Sequence, residues 1–147
     1  MPPGLLMMPA EMELPPPAAT PFLPPDALEI PDARPRELVL LEDGDTLVLT
    51  AGHVRQRVNG RSFVGYGYNG QVPGPVLSAP RGATVHVRYR NDIDWATAVH
   101  WHGIRLENRF DGAAGVTQPP VAPGAEFLYS VRLPDAGLFW YHPHGRE

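Results

Sequence analysis

The 147-residue chain contains no cysteine. That absence excludes disulfides, cysteine-based zinc sites, iron–sulfur clusters and a thiolate-ligated copper within these residues. No apolar run approaches the ~20 residues that span a bilayer. The amino terminus has neither the charged start nor the uninterrupted apolar stretch of a secretory signal. Basic residues are also few: 12 stand against 16 acids, for a net charge of -4. There is accordingly no basic patch to bind nucleic acid and no acidic run that would act as a tail. The length suits one domain with a single core rather than two.

Proline is unevenly spread. Residues 1–35 hold 11 of the 19 prolines and all four methionines, which predicts an extended, polyproline-like tail, because proline lacks the amide hydrogen that helices and sheet ladders use. Met7, Met8 and Met12 follow no recognised ligand spacing and fall within that irregular leader. Residues 36–147 form the predicted domain, with short β-type runs separated by glycine and proline. Leu38–Leu41 and Thr46–Leu49 flank Glu42-Asp43-Gly44-Asp45 as a hairpin or strand junction, and Asn59-Gly60 is the strongest hairpin turn. Thr84–Arg90 alternates with Val85, Val87 and Tyr89 on one face, and Phe127, Tyr129, Val131 and Leu133 repeat the alternation. Leu138–His142 forms a last, aromatic-rich strand. No segment carries a long helical period, so the expected class is an all-β sandwich or Greek-key barrel.

Four of the six histidines fall in two His-x-His pairs, His100-Trp101-His102 and His142-Pro143-His144. In an extended strand residues i and i+2 share a face about 7 Å apart, so each pair is a two-toothed clamp. Trp101 then points to the opposite face, as core. Pro143 disfavours a helical His142 and belongs at a strand end or edge, where a site opens to small molecules. Two clamps on neighbouring strands converge four imidazoles, which suit copper, zinc, iron or nickel. A single zinc ion held by all four has no catalytic vacancy. A mononuclear zinc or iron β-barrel enzyme, of cupin type, calls for a carboxylate such as Glu107 or Asp111, and neither has the expected spacing. His53, beside Gly52 in an expected turn, and His86, on the polar face of its strand, are expected to be ordinary surface residues.

The run Gly67-Tyr68-Asn69-Gly70-Gln71-Val72-Pro73-Gly74-Pro75, the strand ending Arg90-Asn91, then His100-Trp101-His102-Gly103, Asp111-Gly112 and Trp140-Tyr141-His142-Pro143-His144 resembles, in order and spacing, the first cupredoxin (plastocyanin-like) domain of laccase-like multicopper oxidases. The resemblance implies a Greek-key cupredoxin β-barrel or sandwich over residues 36–147. It also implies that His100 binds a type 2 copper, His102 and His142 one type 3 copper, and His144 the other type 3 copper. Asp111 matches the acidic position that donates protons during oxygen reduction. The implied whole enzyme oxidises a phenol, an aromatic amine or a metal ion one electron at a time and reduces O2 to water. The type 1 copper ligands and the other half of the trinuclear ligands are absent from these residues. In such relatives the segment after the second pair continues into a final strand, whereas here it is Gly145-Arg146-Glu147, so the expectation is a domain incomplete at its carboxyl end, lacking its last strand. It would be inactive alone and would need the remaining cupredoxin domains in cis or on another subunit. A non-catalytic copper-binding or storage module is the alternative. Exported oxidases are common in the family, which leaves the compartment open.

Overall fold

The computed structural model describes residues 29–145, so Met7, Met8, Met12 and most of the expected tail lie outside the described residues. Eight strands and one short helix follow one another: β1 (Leu38–Leu40), β2 (Thr46–Val58), β3 (Arg61–Tyr68), β4 (Val76–Ser78), β5 (Thr84–Asn91), β6 (Ala98–His102), a 3-10 turn (Asn108–Phe110), β7 (Glu126–Arg132) and β8 (Trp140–His144). The chain is all-β, as its short alternating runs require. The strands form three separate ladders rather than one closed barrel: a four-stranded sheet in the order β3-β2-β5-β7, and two-stranded sheets β1-β4 and β6-β8.

Leu49, Ala51, Val85, Val87, Tyr89, Tyr129 and Val131 of the large sheet meet Val99 and Trp101 of β6 in a single core. Val39 and Leu77 of the β1-β4 sheet pack on the same cluster. All three sheets thus bury one face against a common interior, the sandwich arrangement that stabilises half-polar strands. Tyr129 is fully buried, which pushes its hydroxyl pKa up to about 12. The hydroxyl stays neutral and accepts the Val99 N–H at 2.9 Å.

Several local readings change in the structure. The segment 42–45 is a strand junction: β1 pairs in parallel with β4, whereas β2 pairs with β3 and β5. Asn59 and Gly60, both at positive φ, close the β2-β3 hairpin as their sequence predicts. His53 is not in a turn. It lies within the continuous β2, opposite Tyr66, with its ring 5.1 Å from the tyrosine ring and Nε2 3.6 Å from Asp94. Its side chain is only 23% exposed, so it is not an ordinary surface residue. The inward alternation of β2 changes phase between Ala51 and Val54, and this interruption disguises one strand as two runs. β8 begins at Trp140 rather than Leu138, because its ladder with β6 ends at the pair His102 and Trp140, and Gly103, at φ +83°, turns β6 away. Leu138 is fully exposed. Contacts also begin before Arg36: Ile30 is buried and Asp32 bridges Arg55.

Asn91, fully buried at the end of β5, fixes where β6 starts. Its side-chain amide donates to the carbonyls of Trp95 (2.9 Å) and Val121 (2.8 Å), and its side-chain oxygen accepts from the Ile93 N–H (3.2 Å). Val121 in turn exchanges two backbone hydrogen bonds with Thr97, just before the first histidine pair. Asn91→Ala is expected to cost about 2–3 kcal/mol, because buried partners are left unsatisfied. Denaturant unfolding checks this; a loss below about 0.5 kcal/mol contradicts it.

Candidate metal centre

β6 and β8 are antiparallel, with His100 directly opposite His142, Ala98 opposite His144 and His102 opposite Trp140. Val99 and Trp101 turn into the core, the latter packing on Tyr141 at 5.6 Å between ring centroids. The alternate positions carry all four imidazoles on the other face. The His100 ring lies 5.5 Å from His102, 5.3 Å from His142 and 5.9 Å from His144, and His102 lies 5.7 Å from His142. The structure therefore brings together the four histidines that the sequence pairs off.

Pro143 fits this ladder for a specific reason. The Val99 N–H goes to Tyr129 and the Trp101 N–H points to the carbonyl of Asp111 at 3.4 Å, so alternate amides of β6 face away from β8. Pro143, opposite Val99, occupies a non-hydrogen-bonded position, and its missing N–H costs the ladder nothing.

Two carbonyls set the ring tautomers. His100 Nδ1 is 2.7 Å from the Asp111 carbonyl oxygen, and His142 Nδ1 is 2.9 Å from that of Pro143. A carbonyl only accepts, so both Nδ1 atoms carry the proton and both Nε2 lone pairs are free to ligate. The Asp111 carboxylate also lies 3.4 Å from His100 Nδ1 and remains partly exposed. One ring nitrogen from each of His100, His102 and His142 lies within 4.8 Å of the others. Nitrogens sharing an ion at about 2.1 Å sit at most about 4.2 Å apart, so this spacing suits a pair that shares an ion after small ring rotations, or ligands of neighbouring ions. His144 Nδ1 is buried without a hydrogen-bond partner among the described residues, an orphaned donor or acceptor of the kind a bound ion satisfies.

Three supports for this face had only faint signals in the sequence. The Tyr141 hydroxyl donates to the Pro75 carbonyl at 2.7 Å, tying β8 to the Gly67–Pro75 run. Gly112 lies against the backbone of Val99 and His100, closer than a side chain permits. Trp140 stacks on two of the imidazoles. An apolar groove of about 850 Å³, lined by Leu38, Val76, Ile104, Val131 and Tyr141, adjoins β8. No helix among the described residues is long and apolar enough to cross a membrane.

The fold and the face together define an all-β domain with four converging histidines and no thiolate. A family model described as multicopper oxidase matches residues 51–147, and the chain belongs to the multicopper oxidase family. It is 37% identical over 101 residues to copper resistance protein A of Pseudomonas syringae pv. tomato, covering 69% of this chain and 17% of that protein. It is 42% identical over 100 residues to dihydrogeodin oxidase of Aspergillus terreus, covering 65% of this chain and 16% of that one. Among solved structures, a multicopper oxidase from Pseudomonas thermotolerans superposes with a TM-score of 0.65 at 41% identity, over 74% of this chain and 26% of that one. The blue copper oxidase of Nitrosomonas europaea gives 0.67 at 31% identity, over 69% and 33%. The fold is of the cupredoxin type found in these oxidases. The chain spans about a sixth of the length of the two curated relatives.

Proposed function

We propose that this domain supplies half the ligands of a trinuclear copper centre in a larger oxidase. His100 would hold the type 2 copper, His102 and His142 one type 3 copper, and His144 the other. The observation that carries this reading is the convergence of four imidazoles on one sheet face, two with Nε2 left bare by carbonyl contacts and a third with an orphaned Nδ1. All-nitrogen donors suit copper, and the group of ring nitrogens brought together by His100, His102 and His142 includes no carboxylate among the described residues. Copper bound there would supply the redox capacity for reducing O2 to water with electrons from a phenol, an aromatic amine or a metal ion.

The chain's own residues would prepare and protonate that reaction. The Asp111 carbonyl holds the His100 ring, and its partly exposed carboxylate lies 3.4 Å from the same Nδ1. Reduction of O2 to two waters consumes four protons, and Asp111 would relay them. The remaining ligands and the thiolate copper site would come from further cupredoxin domains, in cis or on another subunit.

These residues alone should therefore take up copper without turning over. With copper added to the purified 147-residue chain, oxidation of a phenolic dye is expected to stay at the level of free copper. Sustained multi-turnover oxidation abolished by removing His142 would overturn the half-site reading.

A further inference from the structure

Trp140 is the one large aromatic side chain of β8 that stays out of the core, and it is 58% exposed. It sits on the histidine face, directly opposite His102 and two positions before His142. Its indole stacks on His102 with centroids 4.7 Å apart and planes 30° apart. The same indole lies 4.4 Å from the His142 ring, at 32°. We propose that Trp140 is a positioning residue that clamps His102 and His142 into a preorganised ligand pair for a single metal ion. The proposal rests on the copper reading above.

Stacking and ligation use different parts of an imidazole. The indole covers a ring face, whereas a metal is bound by an in-plane nitrogen lone pair, so the contact leaves the ligating atoms clear. The Pro143 carbonyl holds the His142 ring only at Nδ1, at 2.9 Å, and ordering both rings about their terminal torsions is a cost of binding that the indole reduces in advance. An imidazole bound to a cation also becomes electron-poor. It is then attracted more strongly to the electron-rich indole face than the free ring is. The clamp therefore favours the loaded form over the empty one, which a purely structural tryptophan would not do.

The test is titration of the 147-residue chain with Cu(II) against a competing chelator, in the parent, Trp140→Phe, Trp140→Ala and His102→Ala forms. Ring-proton NMR and melting of each metal-free form accompany it. Trp140→Ala is expected to weaken copper binding about tenfold or more, in the range seen when groups orienting a ligand are lost. Trp140→Phe, which keeps an aromatic face, should stay within about threefold. The metal-free melting temperatures should agree, and the upfield ring-current shifts of the His102 and His142 protons should vanish only with alanine. Copper held as tightly by Trp140→Ala as by the parent overturns the clamp, as does equal weakening by phenylalanine and alanine. A parent chain that takes up no copper, or a His102→Ala form that binds like the parent, overturns the copper reading and the clamp with it.

Discussion

Replacing Gly112 with alanine is expected to unfold the domain or strip the Asp111 segment from β6. A Cβ at this position would fall 1.7 Å from the Val99 carbonyl oxygen and 2.5 Å from its carbonyl carbon. Both obstacles are backbone, and that backbone is pinned: the Val99 N–H is bound to Tyr129 and the next residue but one, Trp101, points its N–H at Asp111. The φ of +79° adds a left-handed conformation that alanine adopts at a cost of about 1 kcal/mol. Clash and strain together should remove more than about 4 kcal/mol, a large share of a small domain's stability. Gly115 separates the two contributions, since its φ is +78° but its Cβ would meet open space. Denaturant unfolding of both variants checks the argument. Equal losses for Gly112→Ala and Gly115→Ala would show that the close approach to Val99 carries no energy.

His100→Ala should have the larger effect on metal. His100 is the only imidazole whose ring lies within 5.9 Å of all three others, so its removal breaks the cluster at the centre rather than at an end. The copper that His100 would hold is expected to be lost, its affinity falling on the order of hundredfold or more, while uptake by His102 and His142 remains. Stability should fall by about 1–2 kcal/mol, because the side chain is only 21% exposed and its Nδ1–H bond to the Asp111 carbonyl is lost, although that carbonyl keeps the Trp101 N–H as a partner. Copper titration and metal-free melting, run on the same preparation, measure the two effects. Unchanged copper uptake would move the ligand set elsewhere in the chain.

What the sequence reveals about this molecule follows the range of each signal. The two histidine pairs are legible because strand alternation is local: two residues on, a side chain returns to the same face. The same holds for Val85, Val87 and Tyr89, which are all buried as their spacing predicts, and for the Asn59-Gly60 turn. β2 is less legible, because its burial changes phase at its middle and makes His53 resemble a turn residue. The three-residue β4 carries no period, and its parallel partner β1 lies far back in the chain. The constraint on Gly112 and the stacking of Trp140 are likewise set by where distant backbone lies. Asp-Gly announces a turn, but nothing in those two residues says that the turn must fit against Val99.

The register of β6 and β8 also imposes a parity on the chain. Even-numbered positions from Ala98 to His102 and from Trp140 to His144 face the histidine side, while Val99, Trp101 and Tyr141 among the odd-numbered ones serve the core. A single-residue insertion inside either strand exchanges imidazole for core from that point onward, whereas one in the loop between Leu133 and Phe139 leaves every face as it was. The centre is thus written as a counting rule across two short strands, and it tolerates drift in its connections far better than in its frame.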